Sequence, residues 1–151
     1  MDVKIRNAEN RDLDRLVGLL EELFSIEADF SFDSDRQRRG LTLMVDGCGK
    51  HRCVKVAEAA GRVVGMATAQ LMVSTAEGAF SALVEDVVVT ESMRGRGIGE
   101  ALLAALEAWA RLHGAARLQL LADRENHRAL DFYQRRGWSA TQLICLRKAP
   151  K

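Results

Sequence analysis

The sequence is poor in several features that would mark a specialised class of protein. It has one proline, Pro150, three cysteines without a CxxC pair, and few aromatic residues. None of its apolar runs approaches the roughly 20 residues that a bilayer-spanning helix needs. An odd number of cysteines also argues against a disulfide framework. We therefore expect neither a membrane-embedded protein nor a disulfide-stabilised scaffold.

The chain also has no large excess of charge of either sign. The 22 basic and 21 acidic residues leave a formal net charge of +1, which gives no electrostatic reason to expect nucleic acid or a membrane surface as partner. The N-terminal stretch MDVKIRNAENRDLDRL shows no apolar core of a signal peptide. The expected location is the cytoplasm.

One short stretch contains residue types that bind metals. In CGKHRC (48–53), Cys48, His51 and Cys53 are all of ligand type. The chain offers no second ligand cluster at the spacing of a zinc finger, and the residues from Arg52 onward predict a strand that carries Cys53 inward. The sequence therefore predicts structural cysteines and no metal site.

The order of elements predicts an α/β fold. No repeat, low-complexity tract or linker divides the chain, so we expect a single domain over residues 1–151. The predicted elements are a strand at 3–8, a helix with one apolar face at 13–24, a helix from Asp33 or Ser34 to Val45, two strands joined around Ala60–Gly61, a central strand at 81–89, a helix from the glycine turn to Gly114, a strand at 116–122, a helix capped by Asn126, and a last strand at 141–148. This order is typical of one sheet with helices on both faces.

A glycine-rich turn leads from the central strand into a helix, in RGRGIGEALLAALEAWARLHG (94–114). Free backbone N–H groups at the positive end of a helix dipole bind phosphate. The dinucleotide pattern GxGxxG fails because its third glycine would fall on Glu100, and no Gly-Lys-Ser/Thr of a P-loop follows. The sequence favours a phosphate-binding turn of another kind, the alternative being an ordinary connection between a strand and a helix.

The remaining pattern, Arg94-x-x-Gly97-x-Gly99 directly after VVV, resembles the acyl-CoA-binding motif of the GNAT superfamily of N-acetyltransferases. NHRALDFYQRRGW (126–138) is similar to the closing motif of that family, and AGRVVGMA (60–67) to its second and third strands. The order of elements matches from Val3 to Arg147. The resemblance implies a GNAT-like mixed α/β fold, with one central, mostly antiparallel sheet splayed at strands 4 and 5.

This resemblance also implies an activity and a cofactor site. The activity is transfer of the acetyl group of acetyl-CoA to a primary amine by direct attack within a ternary complex. The pyrophosphate is expected on the amides of the turn and the pantetheine arm along the fourth strand, with Arg94 and Arg96 as charged neighbours or as solvated surface residues. The cofactor-binding residues implied in this way are Val87, Val88, Val89, Arg94, Gly95, Arg96, Gly97, Ile98, Gly99 and Asn126.

Two residues are candidates for the proton transfers. Tyr133 is the candidate donor to the leaving thiolate because a phenol is protonated at neutral pH, and its alternative role is a core tyrosine. Glu85 is the candidate base, acting through a bound water, because the segment around it resembles the diamine and spermidine acetyltransferase branch. Since successive strand residues face opposite sides, only one of Glu85 and Asp86 points directly into the same cleft, unless a bulge re-aims the other.

The acceptor is indicated by an acidic stretch. EELFSIEADFSFDSD (21–35) contains six acidic residues, three phenylalanines and no basic residue. Such a segment suits a small cationic amine through ion pairing and cation–π contact, and the alternative is a solvated loop. A protein lysine or N-terminal acetyltransferase and a non-catalytic CoA-binding regulatory module stay as alternative functions. The family resemblance further leads us to expect a homodimer.

Overall fold

The computed structural model describes residues 2–27 and 29–150, so that Ala28 of the acidic segment lies outside them. The chain divides into two compact units, one ending at Leu120 and one beginning at Leu121. The single domain expected over residues 1–151 stays a prediction. In the first unit the elements are β1 (Val3–Asn7), α1 (Leu13–Phe24), α2 (Ser34–Asp46), β2 (Arg52–Ala59), β3 (Arg62–Ser74), β4 (Ala79–Val89), α3 (Ile98–Leu112) and β5 (Ala115–Leu120).

The five strands form one sheet in the order β1-β2-β3-β4-β5. All neighbouring strands are antiparallel except β4 and β5, which are parallel and joined by α3. The predicted hairpin is confirmed: Ala60 and Gly61 connect β2 and β3 with positive φ values of 51° and 75°. Positive φ at both central residues is the geometry of the two-residue turn that matches the twist of a hairpin.

Helices cover both faces of the sheet, as the order of elements predicts. The apolar stripe of α1 packs with Leu41 of α2 on the face that carries Val54, Val56 and Met66. Helix α3 covers the opposite face, where its Leu102 side chain lies close to Gly65 of β3. The caps agree with the sequence, since Asp33 accepts the N–H of Arg36 at the start of α2 and Gly114 follows α3 at a φ of 85°.

The parallel pairing of β4 and β5 covers only part of β4, and the splay expected between these strands stays a prediction. The register runs from Phe80 opposite Ala115 to Val84 opposite Leu120, where β5 ends. Strand β4 continues to Val89 and keeps its pairing with β3. One half of β4 is therefore an interior strand, and its other half presents an edge.

The second unit contains α4 (His127–Arg135), with the Asn126 side chain accepting the N–H of Ala129 at 3.1 Å as its N-cap. The last strand, predicted at 141–148, is wrong: residues 138–150 form no helix or strand. Apolar, β-branched residues there have strand propensity, but that propensity depends on a neighbouring strand to pair with. In this unit, within its described residues, α4 is the only helix and no strand is present.

Residues 2–27 and 29–150 include no helix that is both long and apolar enough to cross a membrane.

Candidate functional site

The open half of β4 begins with a bulge. Met66 lies opposite Val88 and Thr68 opposite Glu85, so two residues of β4, Asp86 and Val87, face one residue of β3. Asp86 takes a left-handed conformation with a φ of 52°. A bulge re-aims side chains and strengthens the local twist, so it turns β4 just beyond the point where β5 ends.

Past the bulge, the backbone of β4 presents alternate residues to its open edge. The N–H of Thr90 donates to the carbonyl of Val64 at 2.8 Å, which sets the side that faces β3. Because strand residues alternate in the direction of their N–H and C=O groups, Val88 also faces β3, while Val87 and Val89 face the open edge. The carbonyl of Val89 accepts the Nε–H of Arg94 at 2.9 Å.

The turn that follows is built for backbone contact. After a short 3-10 helix, Glu91–Met93, Gly95 and Gly97 take φ values of 76° and 80°, and α3 begins at Ile98. Within the described ranges no side chain caps this helix, and the first amides of an α-helix have no intrahelical partner. A Cβ atom at Gly95 or Gly97 would meet nothing within 4 Å. The turn therefore fits an anionic group such as a pyrophosphate, which is what those amides and the helix dipole favour.

A carboxylate from the acidic segment holds the start of this turn. Glu22 of α1 accepts the hydroxyl of Thr90 at 2.9 Å and the N–H of Glu91 at 3.3 Å. Arg15 approaches the same carboxylate at 4.0 Å and donates to the carbonyl of Val63 at 2.8 Å. Sequence reasoning missed this role of Glu22 because its partners lie almost 70 residues away and share no motif with it.

The two neighbouring carboxylates at the bulge lie in different environments. Glu85 is exposed. The hydroxyl of Thr68, itself buried, lies 3.2 Å from Asp86 Oδ2 and 3.1 Å from the carbonyl oxygen of Glu85. Burial, and then the negative charge of Glu85, raise the pKa of Asp86 to about 6, against the opposing effect of the Thr68 hydrogen bond. The pKa of Asp86 therefore lies closer to neutral pH than that of an ordinary aspartate.

The acidic segment divides between structural and exposed roles. Beside Glu22, Asp33 serves as the cap of α2. Phe24 and Phe32 pack against the core, and Phe30 is 43% exposed while stacking on Phe24 with ring centroids 5.4 Å apart. Two of the three phenylalanines are thus tucked inward, as the solvated-loop alternative expects.

Next to this segment, α2 borders an open depression of about 560 Å³. Its lining is mixed in charge and consists of Asp35, Arg38, Arg39, Thr42 and Leu43. Arg38 forms an ion pair with Asp14 of α1. The stretch RQRR (36–39), which directly follows the acidic segment, therefore contributes positive charge to this surface in addition to pairing with an acid.

In the second unit, the two predicted site residues lie on one helix. Asn126 caps α4, and Tyr133 is half-buried one residue after Phe132. The Tyr133 ring packs edge-on against Phe132 and Trp138, with centroids 5.3 and 5.9 Å away. The phenol ring is thus in contact with two aromatic side chains.

Comparison with known proteins identifies the same family over most of the chain. Residues 15–138 match the model of the "Acetyltransferase (GNAT) family". The aminoalkylphosphonate N-acetyltransferase of Salmonella typhimurium is 29% identical over 140 residues, which cover 93% of this chain and 87% of that protein. The mouse N-alpha-acetyltransferase 80 is 42% identical over 64 residues, but the match spans only 19% of that protein.

Among solved structures, the fold is similar to that of AAC(6')-Iy in complex with a bisubstrate analogue, CoA-S-monomethyl-acetylneamine. The TM-score is 0.81 at 20% identity, and the match covers both chains completely. This likeness establishes the arrangement of helices and strands.

Replacing Gly97 should weaken acetyl-CoA binding. In Gly97→Val, a β-branched residue must adopt a φ of 80°, which displaces the amides of the turn, and its side chain enters the space that the phosphates would use. We expect the dissociation constant for acetyl-CoA, measured by calorimetry on the folded variant, to rise at least about tenfold.

The matched control is Gly78→Val. Gly78 lies between β3 and β4 with a φ of 64° and equally open surroundings, so it carries a similar strain without touching the turn. Equal acetyl-CoA affinities of the two variants would contradict the assignment.

Proposed function

The chain belongs to the acetyltransferase (GNAT) family and is an acetyl-CoA-dependent N-acetyltransferase, and we propose that it acetylates the primary amine of a small molecule by direct attack within a ternary complex. The observation that carries this proposal is the open edge of β4 followed, after one short 3-10 helix and the glycine turn, by the uncapped N-terminus of α3. An edge strand pairs with an extended amide chain, and the helix terminus holds an anion; pantetheine and pyrophosphate follow each other in that order.

Acetyl-CoA supplies an activated acetyl thioester, and this chain must place and deprotonate the amine. We propose that Val87, through its N–H and C=O groups, and Val89, through its N–H, offer the backbone hydrogen bonds along the pantetheine arm, because these groups face the open edge and the Val89 carbonyl already accepts Arg94. The amides of the turn from Gly95 to Gly99 would hold the pyrophosphate. Asn126 and the exposed guanidinium of Arg96 remain sequence-based proposals for the cofactor site.

For the base we propose Asp86 in preference to Glu85. An ammonium ion is not nucleophilic, so a nearby carboxylate must accept its proton. Asp86 lies at the bulge where β4 parts from β5, is hydrogen-bonded to Thr68, and has a pKa raised to about 6. Glu85, the candidate taken from the sequence, is exposed, and its negative charge contributes to the raised pKa of Asp86.

For the acid we propose Tyr133. A phenol that donates its proton to the departing thiolate must be held in one orientation, and the edge-on contacts with Phe132 and Trp138 provide that restraint. The proposal rests on the closing motif and on this local packing.

The acceptor we propose is a small cationic amine, guided by the exposed acids of segment 21–35. A second acceptor class is an amine that also carries an anionic group. The depression on α2 lined by Arg38 and Arg39 favours this second class, and the Salmonella relative is named for aminoalkylphosphonates. Acetylation of a protein N-terminus is the further alternative, in line with the local match to the mouse protein.

The homodimer, the cytoplasmic location and the absence of a nucleic-acid partner stay predictions.

A screen of amines with acetyl-CoA, followed by release of free thiol, tests the activity. Polyamines, aminoglycosides, aminoalkylphosphonates and a peptide with a free N-terminus form the panel. We expect turnover with a small amine and background rates with the peptide. Turnover of the peptide alone would move the function to protein acetylation, and acetyl-CoA binding without any turnover would favour the regulatory module.

The base is identified by two substitutions and a pH profile. Asp86→Asn should lower kcat by about 10²–10⁴ and remove the decline of kcat/KM below about pH 6. Asn tolerates a left-handed backbone, so the bulge is retained. Glu85→Gln should keep kcat within a few-fold and move the decline to lower pH, because losing the Glu85 charge lowers the pKa of Asp86. The opposite pattern, with the large loss in Glu85→Gln, would return the role to Glu85.

Replacing Tyr133 by Phe removes the hydroxyl and keeps the ring. We expect kcat to fall by about 10²–10⁴ while the affinity for acetyl-CoA and the thermal midpoint of unfolding change little, because the packing with Trp138 is preserved. Stopped-flow turnover and calorimetric titration measure the two quantities separately. A kcat within a few-fold of the unmodified protein would make Tyr133 a structural residue.

A further inference from the structure

Two of the three cysteines lie next to each other where α2 passes into β2. Cys48 follows α2 almost directly, and its backbone pairs with that of Arg52. Cys53 is the next residue of β2, and its side chain is fully buried. The short loop between them is closed by a hydrogen bond from the N–H of Gly49 to the carbonyl of Arg52 at 2.8 Å, so the loop itself brings the two cysteines together.

The sulfur of Cys48 is held by specific contacts. It accepts the N–H of Val54 at 3.3 Å, and its own S–H donates to the carbonyl oxygen of the same residue, with the sulfur and the oxygen 3.6 Å apart. Because Val54 directly follows Cys53, these two contacts place the sulfur of Cys48 beside Cys53. Cys48 is half-buried, so that a small molecule reaches it more readily than the enclosed Cys53.

The contacts give the two thiols different acidities. The adjacent thiol of Cys53, then the N–H of Val54 and the charge of Lys55, lower the pKa of Cys48 against the effect of burial. The adjacent thiol of Cys48, together with burial, raises the pKa of Cys53. Because Cys48 is also the more accessible of the two sulfurs, we assign it as the nucleophile of the pair and Cys53 as its enclosed partner.

The geometry points to a function for this pair that is separate from acetyl transfer. We propose that Cys48 and Cys53 form a peroxide-sensitive dithiol that closes to an intramolecular disulfide. Among the residues that the structure describes, no group of three or more His, Cys, Asp or Glu side chains is placed to hold a metal ion.

The reaction has two balanced steps. The Cys48 thiolate attacks one oxygen of hydrogen peroxide; an S–O bond forms, the O–O bond breaks, and the released hydroxide takes up a proton to become water. The sulfur of Cys53 then attacks the sulfenic sulfur of Cys48; the S–S bond forms, the S–O bond breaks, and the proton of Cys53 leaves with the oxygen as water. The two sulfurs together lose two electrons, and the peroxide is reduced to two waters.

The experiment uses the full-length Cys145→Ser protein, which removes the remaining, exposed thiol. After treatment with hydrogen peroxide, the intact mass should fall by two hydrogens and return with a dithiol reductant. Trypsin cleaves after Lys50 and Arg52 and thus separates the two cysteines, so a non-reduced digest should contain their two peptides as one cross-linked species. In the unmodified chain, iodoacetamide at pH 7 should alkylate Cys48 about fivefold or more faster than Cys145.

Single substitutions assign the two roles. In Cys53→Ser, Cys48 should accumulate as a sulfenic acid that dimedone traps, and in Cys48→Ser the buried Cys53 should stay reduced. Cys48 oxidised to sulfinic acid without a cross-link in the Cys145→Ser protein would overturn the proposal, as would alkylation of Cys53 before Cys48. The mass measurement on Cys145→Ser leaves the core residue Cys53 intact and so does not depend on whether Cys53→Ser folds.

Discussion

Every backbone N–H and C=O group taken out of water needs a hydrogen-bond partner, and β4 satisfies this requirement differently along its two halves. Up to Val84 it is paired on both sides, and beyond that residue β5 no longer accompanies it. The bulge at Asp86 marks the change and turns the strand. The open edge, the glycine turn and the position of the carboxylates all follow from the place where this pairing ends.

The turn is kept in place by contacts from two directions. Glu22 reaches it from α1, and Arg94 folds back onto the carbonyl of Val89. The first contact connects the helix that leads into the acidic segment with the loop at the helix terminus. The two sides of the proposed site, one for the amine and one for the cofactor, are thus joined through a single carboxylate.

Most of the first unit was predictable from local patterns. Helix α2 with its Asp33 cap, the Ala60–Gly61 turn and the glycine that ends α3 each depend on residues that are close in sequence. The family motif supplied the glycine turn, and the structure adds its conformation. Local signals were sufficient wherever the partner of a residue lies within a few positions.

The rest depends on contacts between distant residues. Residues 141–148 have the composition of a strand, but composition does not supply the strand that must pair with them. The bulge was foreseen only as an option, because it arises from the register of β3 against β4. The different environments of Glu85 and Asp86 and the anchoring role of Glu22 are likewise products of the folded chain.

The open space around Gly95 and Gly97 affects which amino acids can replace these two glycines during evolution. An added Cβ at either position meets no described atom within 4 Å, so the free protein has room for a larger side chain there. What restricts substitution is the positive φ, which amino acids other than glycine rarely adopt. Asparagine and aspartate, which tolerate the left-handed region, are the first replacements expected among divergent descendants, and valine, isoleucine and threonine the last. In the free protein, tolerance of the left-handed backbone conformation thus decides which substitutions this turn accepts.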